Sequence, residues 1–332
     1  MKKRIIISAL LCAALLLSCA ACASGSRTND SSDESGDTTV LTVAATTYPV
    51  YTLAQLVVGD LPDVRLELVI DQQTSCLHDY TLTVQNMRTL EEADVILISG
   101  AGLEDFLDDA LSSLNTPVID CSAGISLLPY QAQDGHDHDH GHDDHDDEDE
   151  DTDETDPHIW MDPNRAVQML DNIALGLAEV QTTYSYEDLL AQMRPDAEAI
   201  SRSAKAWQDR FAALSDDQRR LITFHDGFGY LAAAFDLDLL KAIEEESGSE
   251  ASAKDIREIV ELVRQYDLPM IFVEENGSSA TAEAIARETG VEIGTLSMMM
   301  SDNGSGYLQT MERNLRTIYE GLTGEEVPQD GE

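Results

Sequence analysis

The chain carries eight histidines, and their placement is uneven. His136, His138, His140, His142 and His145 alternate with aspartates in a stretch, 134–156, that also holds fourteen acidic side chains. Imidazoles and carboxylates in alternation offer nitrogen and oxygen donors to a divalent cation, but in no fixed geometry. The affinity of such a run is lower than that of a preorganised site, and it falls as the histidines protonate below about pH 6.5. The run therefore reads as an accessory metal loop, a collector or a sensor, or else as a solvated acidic loop. The other three histidines stand apart. His78 lies in a polar loop, His158 sits between Pro157 and Trp160, and His225 follows an apolar stretch ending at Phe224. Three neutral imidazoles and a water are sufficient for tetrahedral zinc. A ligating imidazole gives its second N–H to a carboxylate or carbonyl, and Asp79, Asp162 and Asp226 are near enough in sequence to accept it. Trp160 and Tyr230 are expected to wall the site.

These residues need elements to position them. Residues 40–130 alternate strand and helix. Strands are expected at 40–45, 64–70, 94–99 and 117–120, with helices at 50–58, 84–92 and 103–111. After the polar run, helices are expected at 163–180 and 186–214, the first opening on Pro163. The second, about 29 residues, would span roughly 43 Å, with Pro195 kinking or breaking it. Alternation resumes with strands at 220–224, 237–243, 269–274 and 291–296. A turn and helix fall at 225–235, and helices at 254–266, 281–289 and 307–322. The pattern predicts an α/β fold with two lobes, each a parallel sheet flanked by helices, joined by a long rigid connecting helix. Ligands of open α/β sheets bind beyond the carboxyl ends of strands. His78 and His158 fall in the first lobe and His225 in the second, so a shared ion would lie in the cleft between them.

Domain limits follow. Residues 1–22 are a secretory signal and lipobox, 23–39 a flexible tether, and 40–183 the N-terminal lobe, with 131–157 a low-complexity His/Asp-rich loop. Residues 184–214 are the connector, 215–323 the C-terminal lobe and 324–332 a tail. The signal rests on Lys2, Lys3 and Arg4 ahead of an apolar stretch, Ile5 to Leu17, too short for a comfortable membrane span. Leu16 and Ser18 ahead of Cys19 resemble a bacterial lipobox, with Cys22 the alternative lipidation site. Cys76 and Cys121 remain for the folded part. They either pair, as an oxidising compartment permits, or stay as two buried thiols. The net charge of −44 repels nucleic acid and anionic lipid and concentrates cations. A monomer is expected, held to the outer side of the cytoplasmic membrane by its lipid.

Several segments together resemble one family. They are T-T-Y-P-V-Y at 46–51, C-L-H-D-Y at 76–80, E-A-D-V-I-L-I-S-G-A-G-L-E at 92–104 and D-P-H-I-W-M-D-P at 156–163. T-F-H-D-G-F-G-Y-L at 223–231, I-F-V-E-E at 271–275, A-R-E-T-G-V at 286–291 and Y-L-Q-T-M-E-R-N-L at 307–315 complete the set. The chain is similar to the solute-binding lipoproteins of zinc- and manganese-uptake ABC transporters, the ZnuA/AdcA/TroA type, and most to the zinc members, in which an acidic His-rich loop precedes D-P-H-I-W. The resemblance implies that His78, His158 and His225 hold the ion. It also implies Zn²⁺ as the transported ligand, with Mn²⁺ less suited to an all-imidazole set. A membrane permease and its ATPase would be the partners. The family's fourth ligand is usually an aspartate where this chain has Ser297, which leaves water, Asp302, Glu274 or Glu275, in that order for the carboxylates. Met298, Met299 and Met300 would suit a soft ion such as copper(I), or serve only to pack. No catalysis is expected. A different divalent metal, a surface adhesin and a three-His zinc hydrolase are the alternative readings, the last without any H-E-x-x-H.

Overall fold

In the computed structural model the described residues are 40–59, 61–71, 77, 80–129, 155–181, 183–244 and 251–328. The calls on Cys19, Cys22, Cys76, His78, Asp79 and the five loop histidines lie outside them. Those residues fold as strand β1 (Leu41–Ala45), helix α1 (Tyr48–Val58), β2 (Val64–Leu68), α2 (Val84–Glu92), β3 (Val95–Ile98), α3 (Asp108–Ser113) and β4 (Val118–Asp120). Helices α4 (Pro163–Val180) and α5 (Tyr186–Ala212) follow. The chain continues with β5 (Arg220–His225), α6 (Gly229–Ala234), β6 (Asp238–Glu244), α7 (Ala253–Tyr266), β7 (Met270–Glu274), α8 (Ala280–Thr289), β8 (Glu292–Leu296) and α9 (Tyr307–Thr323). Two four-stranded sheets result, in the orders β2-β1-β3-β4 and β6-β5-β7-β8. Every strand pair is parallel. The same order recurs in both lobes, so each lobe has a switch point where the chain reverses its direction of winding: between β1 and β3, and between β5 and β7.

Alternation along the strands decides which side chains face the partner lobe. On β5, Ile222 and Phe224 enter a small core with Ile259, Val263 and Ile285 of α7 and α8. Leu221 enters a larger core on the opposite face. On β7, Ile271 and Val273 take the small core and Phe272 the large one. With a side-chain period of two, His225 and Glu274 fall on the face of Leu221 and Phe272, toward the other lobe. The large core is continuous across both lobes. It joins Val43, Ile96, Trp160 and Leu170 to Phe228, Met298, Tyr307 and Leu315.

The connector α5 packs on α1 and α4 of the first lobe and on α9 of the second. A reciprocal capping box of Ser185 and Asp188 starts it, worth about 1 kcal/mol. Its far end is anchored by Trp207 and Phe211, whose rings meet Tyr319 at 6.2 and 5.7 Å. At 27 residues it spans roughly 40 Å. Pro195 lies inside it without breaking it. Pro195 and Ala191 are both exposed, so the hydrogen bond that the proline cannot make falls on the solvent-facing side of the helix.

Other boundaries also differ from expectation. Helix α1 starts at Tyr48, ahead of Pro49, because proline is well placed in a first helical turn. The expected helix at 103–111 is instead a 3₁₀ turn, Asp105–Leu107, followed by α3. Glu104 turns back and accepts the amides of Ser99 (2.7 Å) and Gly100 (3.0 Å) and the Thr46 hydroxyl (2.8 Å). Gly100 needs its positive φ of 78°, and a Cβ there would overlap the Asp120 carboxylate. The first lobe's switch point is thus filled by its own glutamate. Cys121 is buried beside it. Among the described residues no helix is long and apolar enough to cross a membrane.

Candidate metal centre

The segment Asp156–Pro163 is buried throughout. Its entry is pinned by an isolated antiparallel bridge between Pro129 and Thr155 and by the Asp156 amide, which donates to the Leu128 carbonyl at 2.9 Å. A 3₁₀ turn, Ile159–Met161, follows His158. Asp162 then caps α4, accepting from the Asn164 amide at 2.8 Å with Pro163 in the first turn. Short loop, single turn and capped helix leave His158 one orientation, its ring 5.3 Å from that of Trp160 and edge-on. His225 ends β5 in the second lobe.

The two rings meet. His158 Nε2 and His225 Nε2 are 3.4 Å apart, the ring planes at 89° and the centroids 5.2 Å apart. Both residues are 4% exposed. Two nitrogens each roughly 2.05 Å from one tetrahedral ion are roughly 3.3 Å apart. The observed separation fits two ligands of a single zinc. It is long for an N–H···N hydrogen bond.

The other edge of His158 is held. Its Nδ1 lies 2.8 Å from Asp156 Oδ1, which also accepts the His158 amide at 2.9 Å. A carboxylate accepts only, so Nδ1 carries a proton, and in the neutral ring the lone pair is then on Nε2, facing His225. Asp156 is itself positioned by Tyr230, whose hydroxyl donates to the Asp156 carbonyl and accepts the Leu128 amide, each at 2.9 Å. Burial raises the Tyr230 pKa, keeping that hydroxyl protonated.

Sequence reasoning missed Asp156 and offered Asp162 instead. Asp162 is committed to capping α4 and to an ion pair with Arg165. The signal was present in D-P-H, where an aspartate two residues before a histidine can reach back to its Nδ1. Asp226 is buried next to His225. His78 lies outside the described residues, and among the described residues no three histidine, cysteine or acidic side chains gather around one point.

The three carboxylates considered for the fourth position separate by burial. Asp302 is exposed, accepts the Tyr48 hydroxyl at 3.1 Å and caps Gly304. Glu275 is exposed and lies 4.0 Å from Arg313. Glu274 is buried at the end of β7. Extending the Thr223–Phe272 register by two residues brings it beside His225. Ser297 is held by Asn314, which accepts its amide at 2.9 Å and donates to its carbonyl at 2.8 Å.

The lobes are tied together around the pair. Trp160 Nε1 donates to the Met298 carbonyl (3.0 Å), and the Tyr307 hydroxyl donates to the Trp160 carbonyl (2.7 Å).

Comparison with known proteins agrees with this architecture. Residues 43–321 match the family described as zinc-uptake complex component A, periplasmic. The zinc-binding protein AdcA of Streptococcus pyogenes is 28% identical over 290 residues, covering 83% of this chain and 55% of that protein. The zinc-binding lipoprotein AdcA of Streptococcus pneumoniae is 28% identical over 339 residues, covering 99% and 62%. The chain thus spans little more than half the length of these curated relatives. Among solved structures, a Zn(II)-bound variant of AdcAII from Streptococcus pneumoniae superposes with a TM-score of 0.71 at 27% identity, covering 86% of this chain and 99% of that one. The laminin-binding protein of Streptococcus agalactiae shares the fold, with a TM-score of 0.72 at 23% identity over 85% and 100%. With a family match over most of its length, a recurrent two-lobed parallel fold and paired cleft imidazoles, the chain belongs to the zinc-uptake complex component A family.

Proposed function

We propose that the protein captures Zn²⁺ outside the cell, in the cleft between its lobes, and delivers it to the permease of an ABC transporter. His158 and His225 are two of the ligands, and His78 is the third. The fourth is Glu274 or water. The observation that carries this reading is the 3.4 Å separation of the two Nε2 atoms, with the His158 lone pair directed by Asp156. Zinc is the cargo, and the protein performs no chemistry on it. Imidazole-rich, buried coordination suits zinc better than manganese, which prefers oxygen donors. Cys19 carries the lipid that holds the protein at the membrane, with Cys22 the alternative, and the His-rich run feeds ions toward the cleft. Lobes that share one core and a rigid helix release the ion by a small tilt or a local loop movement. Metal analysis of protein purified without added metal, followed by zinc–manganese competition, tests the assignment. One equivalent of zinc retained against excess manganese in the absence of the loop is expected. Preferential manganese loading would refute it.

A further inference from the structure

A methionine closes in on the histidine pair beside Gly227. Gly227 follows His225 by two residues, and a Cβ placed on it would overlap the Met298 methyl while standing 2.8 Å from His225 Cδ2 and 3.1 Å from His158 Cε1. Each of those carbons is bonded to its ring's Nε2. The Met298 methyl and one Nε2-bonded carbon of each ring thus surround a single point beside Gly227. Its backbone is fixed there. The Met298 carbonyl is bound by Trp160, Ser297 is clamped on both sides by Asn314, and Met299 adopts a left-handed φ of 58°. That φ is costly for a long non-glycine side chain, so the surroundings impose it. The side chains of Met298, Met299 and Met300 are all buried. Packing alone would accept leucine at 298. Only methionine adds a soft donor at the Nε2 edge, and two imidazoles with a thioether are ligands suited to monovalent, thiophilic d¹⁰ ions.

We propose that Met298 supplies a thioether ligand when a soft ion is held by His158 and His225, so that the cleft also takes soft monovalent cations of the Cu(I) and Ag(I) class. The proposal rests on the reading that this histidine pair binds metal. Methionine is unbranched and flexible, so a change of rotamer can bring its sulfur toward the ion.

The test uses Ag(I), which needs no reductant, on the full-length protein and its Met298→Leu and His158→Ala variants. Met298→Leu conserves volume. It is expected to weaken Ag(I) binding by about tenfold or more. X-ray absorption at the silver edge is expected to show a sulfur neighbour in the unmodified protein and none in Met298→Leu, a readout that does not depend on the variant's stability alone. Unchanged Ag(I) affinity in Met298→Leu, or no sulfur neighbour in the unmodified protein, overturns the thioether role. If that happens while His158→Ala still abolishes tight zinc binding, only this proposal fails. If His158→Ala affects neither metal, the metal-binding reading beneath it fails as well.

Discussion

His158 Nδ1 stands 2.8 Å from Asp156 Oδ1, with the imidazole and the carboxylate both buried. This one contact sets the tautomer of His158 and aims its free nitrogen at His225 across the lobes. It makes the last aspartate of the acidic run part of the cleft, distinct in role from the loop that precedes it.

Removing that aspartate should therefore loosen metal binding without removing a ligand. Asp156→Ala is expected to lower zinc affinity by about 10- to 100-fold, the usual cost of losing a partner that orients a ligating histidine. Asp156→Asn retains an acceptor and loses only the charge, so its effect should be smaller. Competition with a chromophoric chelator measures both. Equal affinity in all three proteins would show that the contact does not orient the ligand.

Gly227 tests the tightness of the same site. Its missing Cβ is the space in which the two imidazoles and the Met298 methyl meet. Gly227→Ala should cost about 1–3 kcal/mol in the metal-free protein, as overpacking does, and should weaken zinc binding further by spreading the rings. Urea unfolding with and without zinc separates the two effects.

Trp160 spans the lobes through its donation to the Met298 carbonyl. Trp160→Phe leaves that carbonyl buried without this donor, at a cost of about 1–3 kcal/mol. Urea unfolding of the metal-free protein checks it, and a change below about 0.5 kcal/mol would show that the bond contributes little to closing the lobes.

Glu104 makes stability fall with rising pH. Burial, followed by smaller lowering effects from Ser99, Thr46 and Gly100 and a raising effect from Asp120, brings its pKa from 4.5 up to about 7. The folded protein then holds a proton that the unfolded chain has released. That contribution is fully present below about pH 4.5 and is lost as the pH rises through about 7, a change on the order of 3 kcal/mol. Glu104→Gln, whatever its absolute stability, should lack this slope in unfolding measurements taken between pH 5 and 8.

Much of this was legible in the residues. Strands such as V-I-L-I at 95–98 are buried on both faces and read as unbroken apolar runs, so element positions followed closely. Strand order did not, because it is decided by packing between distant segments. The helix through Pro195 continued because its exposed side can be solvated, and the 3₁₀ turn after Gly102 arose because Glu104 capped amides behind it. His158 was legible as a candidate from its loop position and His225 from its place at the carboxyl end of an apolar strand. Asp156 was read as the end of the charged run, since composition alone does not mark where a solvated segment becomes a folded one. Met298 could be read only as soft or merely packing until its methyl was seen against both rings.

The bridge between Pro129 and Thr155 also defines how the loop can be removed. The chain ends meet there as neighbours in an antiparallel pair, so a short Gly-containing turn can replace residues 134–153 while keeping Asp156. Isothermal titration of this loop-deleted protein with zinc, beside its His158→Ala variant, is the most direct test of the cleft site. One tight, saturable zinc per chain is expected in the first and loss of that site in the second. Saturation at 100 times Kd should also stabilise the first by about 2.7 kcal/mol. No tight site in the loop-deleted protein, or an unchanged one in His158→Ala, would contradict it.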